Sequence, residues 1–278
     1  MTYTVALGDT PHSLLVKSRT DFEFPEITPV HKAFAPMVRE LKYDFSEMAV
    51  VTYLQAREAG KSISILPVVL NGGFHHHSIV RWPGSKEIGP RDLTGQRIGV
   101  RAYSQTTGMW VRGVLKEEFG IESGDMTWVT TEGPHVAEYV EPPYVERTPY
   151  PLAGLLRSGD IVAAVLGPNA VDEGLIPVIP DAFEAEEAWF QRHKTVPVNH
   201  MLTVRTEIIR DDPDAVHGLY RAFTEAIDQS VVPAAITYGV NDALVASLEI
   251  AIRYGLEQDL LRQPVTVDEL FADFRELV

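Results

Sequence analysis

Cysteine is absent from the chain. Disulfides, thiolate metal sites and cysteine nucleophiles are excluded with it. Positive charge is scarce: 24 Lys and Arg stand against 39 Asp and Glu, a net charge of −15. That balance argues against nucleic acid and anionic membrane surfaces as partners. It also makes any anionic ligand depend on a local positive pocket. No apolar run reaches membrane-spanning length. The opening stretch MTYTVALGDTPHSLLV has no basic segment followed by a long apolar one. It reads directly as a strand, and a cytoplasmic location is the expectation. No Gly-x-Gly-x-x-Gly follows a strand, and there is no Walker-type loop and no Gly-x-Ser-x-Gly elbow. Nucleotide cofactors and serine hydrolysis are therefore not expected.

What is present is a full complement of core-forming residues. The 278 residues are 45% apolar and 23% charged, as in a globular protein of one large domain or two lobes. Hydrophobic periodicity predicts strands at Thr2 to Leu7, Tyr43 to Ala49, Ile63 to Leu70, His77 to Trp82, Arg97 to Val100, Met126 to Thr131, Ile161 to Leu166 and Val198 to Val204. Helices are expected at about 31–41, 50–59, 107–119, 152–156, 181–193, 213–227 and 241–254, with a capping box at Thr266 to Glu269 opening the last. Residues 132–149 have no clear period and read as a loop or flap. Strands alternating with helices imply a mainly parallel sheet. The expected organisation is α/β and two-lobed. Residues 1–82 and 200–278 form lobe one, 92–195 lobe two, and 83–91 and 196–199 cross between them. In open α/β sheets ligands bind beyond the carboxyl ends of the strands, so the site is expected in the interlobe cleft.

The stretch 97–119, RIGVRAYSQTTGMWVRGVLKEEF, joins a strand to a helix through a turn rich in hydroxyls. Unpartnered N–H groups at a helix start, with the helix dipole behind them, favour a negative ligand. The turn reads either as a carboxylate site or as ordinary helix capping by its threonines. Arg101 follows the strand and either pairs with a carboxylate or is solvated.

Asp92-Leu93-Thr94-Gly95-Gln96-Arg97-Ile98-Gly99-Val100 resembles the second-lobe opening of type II periplasmic-binding-protein-like folds. Other stretches resemble the 4,5-dihydroxyphthalate decarboxylase family. They are Tyr43-Asp44-Phe45-Ser46-Glu47-Met48 with Tyr53-Leu54, His77-Ser78, Tyr103 with Thr106, Trp110-Val111-Arg112-Gly113, and Val198-Asn199-His200. The resemblance implies a two-lobed fold with a mixed, mainly parallel sheet in each lobe. It implies a cofactor-independent decarboxylase, a carbon–carbon lyase, acting on a small anionic hydroxylated aromatic carboxylate. Two other roles fit the same scaffold: a small-acid solute-binding or sensor protein, and a different enzyme of the menaquinone-pathway type. The chain departs from the family's pattern at Ala102-Tyr103, where an acid precedes the tyrosine, and at Pro11-His12-Ser13, where Asp-Arg-Thr stands.

Within that frame Glu47 and His77 are the candidate catalytic residues. Glu47 sits at a strand end among apolar neighbours, where a carboxyl would have a raised pKa and donate a proton. Otherwise it is an acid at a helix start, stabilised by the dipole. His12, Arg101, Tyr103, Thr106, Thr107, Asn169 and His200 are the candidate substrate-binding residues. In Phe74-His75-His76-His77-Ser78, strand alternation would put His75 and His77 on one face and His76 on the other. Metal binding would need further convergence, for instance with Glu47. No metal is assigned; a divalent ion is an open but less favoured addition. Trp110 reads as core or as an aromatic platform, and Arg112 as a partner in a surface or interlobe salt bridge. A homo-oligomer is left open.

Overall fold

The computed structural model describes residues 2–167 and 174–277. The chain begins with β1 (Val5–Ala6), α1 (Pro11–Arg19), α2 (Phe34–Glu40), β2 (Phe45–Ala49), α3 (Val50–Glu58) and β3 (Ile63–Gly72). It continues through β4 (Ile79–Arg81), β5 (Arg97–Val100), α4 (Thr106–Phe119), β6 (Thr127–Thr130), β7 (Val145–Arg147), α5 (Leu152–Ser158), β8 (Ala163–Val165) and β9 (Ile176–Pro177). It closes with α6 (Ala182–His193), β10 (Val198–Arg205), α7 (Thr206–Asp211), α8 (Pro213–Asp228), α9 (Asp242–Glu257) and two short turns of helix.

Helix starts follow the local chemistry. Thr10 caps α1 ahead of Pro11, Asp212 caps α8 ahead of Pro213, and Asn241 caps α9. Pro36 falls in the first turn of α2, where its missing N–H has no helical partner to lose.

The strands form two sheets, ordered β1-β2-β10-β3 and β7-β6-β5-β8-β4-β9. In the first, β10 runs antiparallel between β2 and β3, and an isolated parallel bridge joins Thr4 to Glu23 beyond β1. In the second, β7, β6, β5 and β8 are parallel, and β4 runs antiparallel between β8 and β9. Each sheet thus takes one reversed strand from chain that crosses between lobes. The expected crossing after residue 82 therefore falls earlier. Ile79–Arg81 pairs with β8 and β9 in the second sheet, so the chain changes lobes between Gly72 and Ile79.

Helix α9 packs against α3, α4 and β10, and the core is continuous across the lobes. The loop 132–149 contains β7 and is latched to the first lobe rather than standing clear as a flap. Arg39 donates to the carbonyls of Pro134 and His135 at 2.8 and 2.7 Å, Lys61 pairs with Glu138 at 2.5 Å, and Thr52 meets His135 at 2.9 Å.

Candidate active site

A cavity of about 360 Å³ lies between the sheets. Its walls come from the end of β2, the β3–β4 connection, the β5–α4 turn and the start of β10. Two helix N-termini meet there, α3 from one lobe and α4 from the other. Neither N-cap residue, Ala49 or Gln105, supplies a side-chain cap. Instead the Val51 N–H donates to Thr106 Oγ1 at 3.2 Å across the lobes. Ser104, Gln105, Thr106 and Thr107 line the cavity, and so does Arg101. The Arg101 guanidinium is held by Glu132 at 2.6 Å. Two helix N-termini and a guanidinium paired with Glu132 thus face one cleft, and helix N-termini favour negative charge. The buried Gln105 Oε1 has no partner among the described residues.

The opposite wall carries an imidazole–carboxylate pair. Glu47 on β2 is registered opposite Leu202 on β10, and His200 is its diagonal neighbour on the same face. His200 Nδ1 and Glu47 Oε1 are 2.6 Å apart. The other carboxylate oxygen accepts the Gly8 N–H at 2.9 Å. Glu47 is 2% exposed. Burial is the largest influence on it and acts upward. The hydrogen bond and charge of His200, the Gly8 N–H and the charge of His12 outweigh it, so Glu47 sits below the ordinary carboxylate value. The expectation of a raised, proton-donating Glu47 is overturned. It is a buried carboxylate behind His200, and His200 lines the cavity. With Nδ1 on Glu47, the Nε2 of His200 is left for the cleft, and Phe34 packs edge-on to the ring at 5.2 Å.

The histidine run is not a strand. His76–Ser78 is a 3₁₀ turn, yet the expected facing holds, with His75 and His77 on the cavity and His76 away from it, and the three rings take different partners. His75 Nε2 meets Asn199 Oδ1 at 3.0 Å, and His76 Nε2 meets Glu118 at 3.3 Å. His77 Nδ1 meets Glu186 Oε1 at 2.5 Å, and its ring stacks on Phe183 at 5.8 Å. His75 and His77 line the cavity; His76 is buried against α4. Among the described residues no three His, Asp or Glu side chains converge as metal ligands would.

Other expected contacts are relocated. His12 is buried, its Nε2 near Thr10 Oγ1 at 2.9 Å and the Leu70 carbonyl at 3.2 Å. It reaches the site only through its charge coupling to Glu47. Tyr103 is fully buried, donating to the Gln258 carbonyl at 2.9 Å, and does not line the cleft. Arg112 explains this: its guanidinium lies 4.0 Å from the Tyr103 ring centre, with hydrogen bonds to Gln258 Oε1 and the Tyr103 carbonyl. Arg112 is thus a buried cation on aromatic rings and neutral oxygens, not half of a salt bridge. Trp110 is core, donating to the Val198 carbonyl. Asn169 lies outside the described residues. His31, Thr52 and His135 line the cleft without having been singled out by the sequence.

Burial pushes the His75 pKa down to about 3 and that of His135 down to about 4. Arg101 adds to the effect on His135. Both rings are neutral in the folded protein, and the unfolded chain takes up their protons first, near 6.5. Stability is accordingly expected to fall as pH drops from about 6.5 toward 4. Glu47, with its lowered value, extends the loss below the ordinary carboxylate range. Urea denaturation at pH 7, 5.5 and 4.5 checks this: His75→Gln is expected to flatten the slope between pH 6.5 and 4.5, and an unchanged slope would remove His75 from the account.

Two α/β sheets of this order, each with one reversed strand and a shared cleft, define the two-lobed class of type II periplasmic-binding-protein-like folds. The alkanesulfonate-binding protein SsuA of Xanthomonas axonopodis pv. citri, solved with MOPS bound, superposes with a TM-score of 0.62. That alignment covers 97% of both chains at 12% identity, a likeness of fold. No family model matches the chain. In sequence the chain resembles the 4,5-dihydroxyphthalate decarboxylases. It is 32% identical to that of Comamonas testosteroni over 207 residues, which is 66% of this chain and 61% of the relative. It is 34% identical to that of Pseudomonas putida over 142 residues, 48% of this chain and 55% of the relative. The chain thus spans about three fifths of the length of these relatives. Among the described residues no helix is long and apolar enough to cross a membrane.

Proposed function

We propose that the chain is a decarboxylase of a hydroxylated aromatic carboxylate of the 4,5-dihydroxyphthalate kind, working without an organic cofactor. The observation that carries the reading is the His200–Glu47 pair, set in the cleft wall with a carboxylate-binding end opposite. The likeness to the named decarboxylases supplies the reaction class.

The substrate carboxylate sits at the α3 and α4 N-termini beside Arg101. A hydroxyl para to the departing carboxylate pushes electron density into the ring. His200, as imidazolium, gives its Nε2 proton to the ring carbon bearing that carboxylate. The carbon–carbon bond then breaks, its electron pair restores aromaticity, and CO₂ leaves. Solvent returns the proton to His200. Glu47 touches no substrate; it holds the Nδ1 proton and offsets the imidazolium charge. His77, held by Glu186, faces the same cavity and positions the ring or a second carboxylate.

Arg101→Gln is expected to raise KM for the carboxylate by about tenfold or more while kcat changes less, the pattern of lost ground-state binding. Steady-state kinetics checks this; a kcat loss at constant KM would move Arg101 into the chemical step. A second reading, a small-acid binding protein, is favoured by the SsuA-like fold alone. Tight reversible binding without turnover would select it. Assays of CO₂ release from hydroxyphthalates and hydroxybenzoates, run with and without divalent metal, separate the two.

A further inference from the structure

The imidazoles on the cleft wall differ in what stands behind them. His200 and His77 are each backed by a carboxylate, Glu47 at 2.6 Å and Glu186 at 2.5 Å. His75 and His135 are backed by neutral groups, the Asn199 amide at 3.0 Å and the Thr52 hydroxyl at 2.9 Å. A hydroxyl donates or accepts, so Thr52 leaves the His135 tautomer free. The amide oxygen of Asn199 only accepts. It therefore places the His75 proton on Nε2 and leaves Nδ1 as a bare acceptor. Burial keeps this ring uncharged, with its pKa pushed down to about 3.

The backbone fixes where this acceptor stands. The His75 carbonyl accepts the Ser78 N–H at 3.0 Å and closes the 3₁₀ turn. Asn199 lies on β10 beside His200, where regular alternation would send the two side chains to opposite faces. The pairing of β10 with β3 slips on both sides of His200, and both residues line the cavity. His75 lines it too and is 7% exposed. Its Nδ1 has no hydrogen bond among the described residues, yet it is not one of the sealed, unpartnered atoms, so it is open to the cavity that the ring lines. A lone pair on an uncharged ring accepts an O–H and repels a carboxylate.

We propose that His75 sets the substrate specificity of the cleft: its Nδ1 accepts a ring hydroxyl of the substrate, and Asn199 holds the ring in the tautomer that can do so. This role rests on the reading of the cleft as the site of a hydroxylated aromatic carboxylate. The carboxylate-backed imidazoles donate, and the amide-backed one accepts. A site built to bond a hydroxyl rejects the analogue that lacks it, because the buried acceptor is then left without a donor.

The test is calorimetric titration of 4,5-dihydroxyphthalate and of phthalate into the full chain carrying His200→Ala, which prevents turnover. The hydroxylated acid is expected to bind more tightly, and adding His75→Phe is expected to lower the ratio of the two affinities by about tenfold, with phthalate itself little changed. Asn199→Asp keeps the imidazole and its packing but puts a carboxylate behind it, which favours a second proton on the ring; the same fall in the ratio is expected. The nitrogen-15 spectrum of the unliganded chain is expected to show His75 protonated at Nε2, with the Nδ1 resonance moving on addition of 4,5-dihydroxyphthalate and not of phthalate. An unchanged ratio, an equal loss for both acids, or a proton on Nδ1 in the unliganded chain would overturn the proposal. A ratio that falls as expected, with no CO₂ released when His200 is intact, would count against the decarboxylase reading alone. CO₂ release with an unchanged ratio would count against His75 alone, and binding of neither acid against both.

Discussion

His200→Ala is expected to lower kcat for CO₂ release by about 10²–10⁴-fold, the usual contribution of a positioned general acid, with KM little changed. The physical reason is positional. His200 lines the cleft, and Glu47 fixes one face of its ring through Nδ1, so removing the imidazole removes the proton the ring carbon needs. Glu47→Gln tests the supporting half of the pair. An amide keeps the shape but offers the imidazolium no countercharge, and kcat is expected to fall by on the order of 10²-fold or more. The double variant is expected to be no worse than His200→Ala alone, because residues acting as one unit are not additive. If Glu47→Gln lowered kcat while His200→Ala did not, the roles assigned here would be reversed. The histidine substitution removes an edge contact to Phe34, so a melting curve of each variant separates loss of fold from loss of chemistry.

The second large effect concerns stability. Gly113 lies on α4 where that helix meets α9, and a Cβ placed there would stand 2.0 Å from the Tyr254 ring. Tyr254 is fully buried, edge-on to Trp110 at 5.7 Å, and its hydroxyl donates to Glu117 at 2.8 Å. The ring therefore has no free direction in which to retreat. Gly113→Ala is expected to destabilise by about 3 kcal/mol, the upper range for overpacking, despite alanine's better helix propensity. In a chain of this size that lowers Tm by on the order of 5 °C. Combining it with Tyr254→Ala is expected to give less than the sum of the single losses, as contacting residues do. A neutral or stabilising Gly113→Ala would mean that α4 and α9 are not packed this closely. The glycine in Trp110-Val111-Arg112-Gly113 is thus a packing residue that lets an interlobe helix pair approach, and it leaves the α4 N-terminus where the cleft needs it.

Much of this was legible in the sequence, and the failures have common causes. The strand carrying Glu47 and the return strand carrying His200 are visible as apolar runs. What could not be read was their register, which makes the two residues diagonal neighbours and turns a supposed proton donor into a buried carboxylate. The histidine run has the expected facing, His75 and His77 on the cavity and His76 away from it, although His76–Ser78 is a 3₁₀ turn and not a strand. Its position after a strand points Tyr103 to the cleft. The guanidinium of Arg112 stacked on its ring is a contact from nine residues further along the chain, on α4. His135 sits in a segment without periodicity, and only the latch of Arg39 and Thr52 brings it to the cleft. Ser104, Gln105, Thr106 and Thr107 of the polar turn do line the cavity, because a strand end and a helix start are local features.

The most direct test of the central claim is the fate of 4,5-dihydroxyphthalate incubated with the purified chain in D₂O. The account predicts CO₂ in equal amount to 3,4-dihydroxybenzoate carrying one ring deuterium, at the carbon that lost its carboxylate, and a loss of this product with His200→Ala. Recovery of the acid unchanged, bound but not consumed with or without added divalent metal, would contradict it.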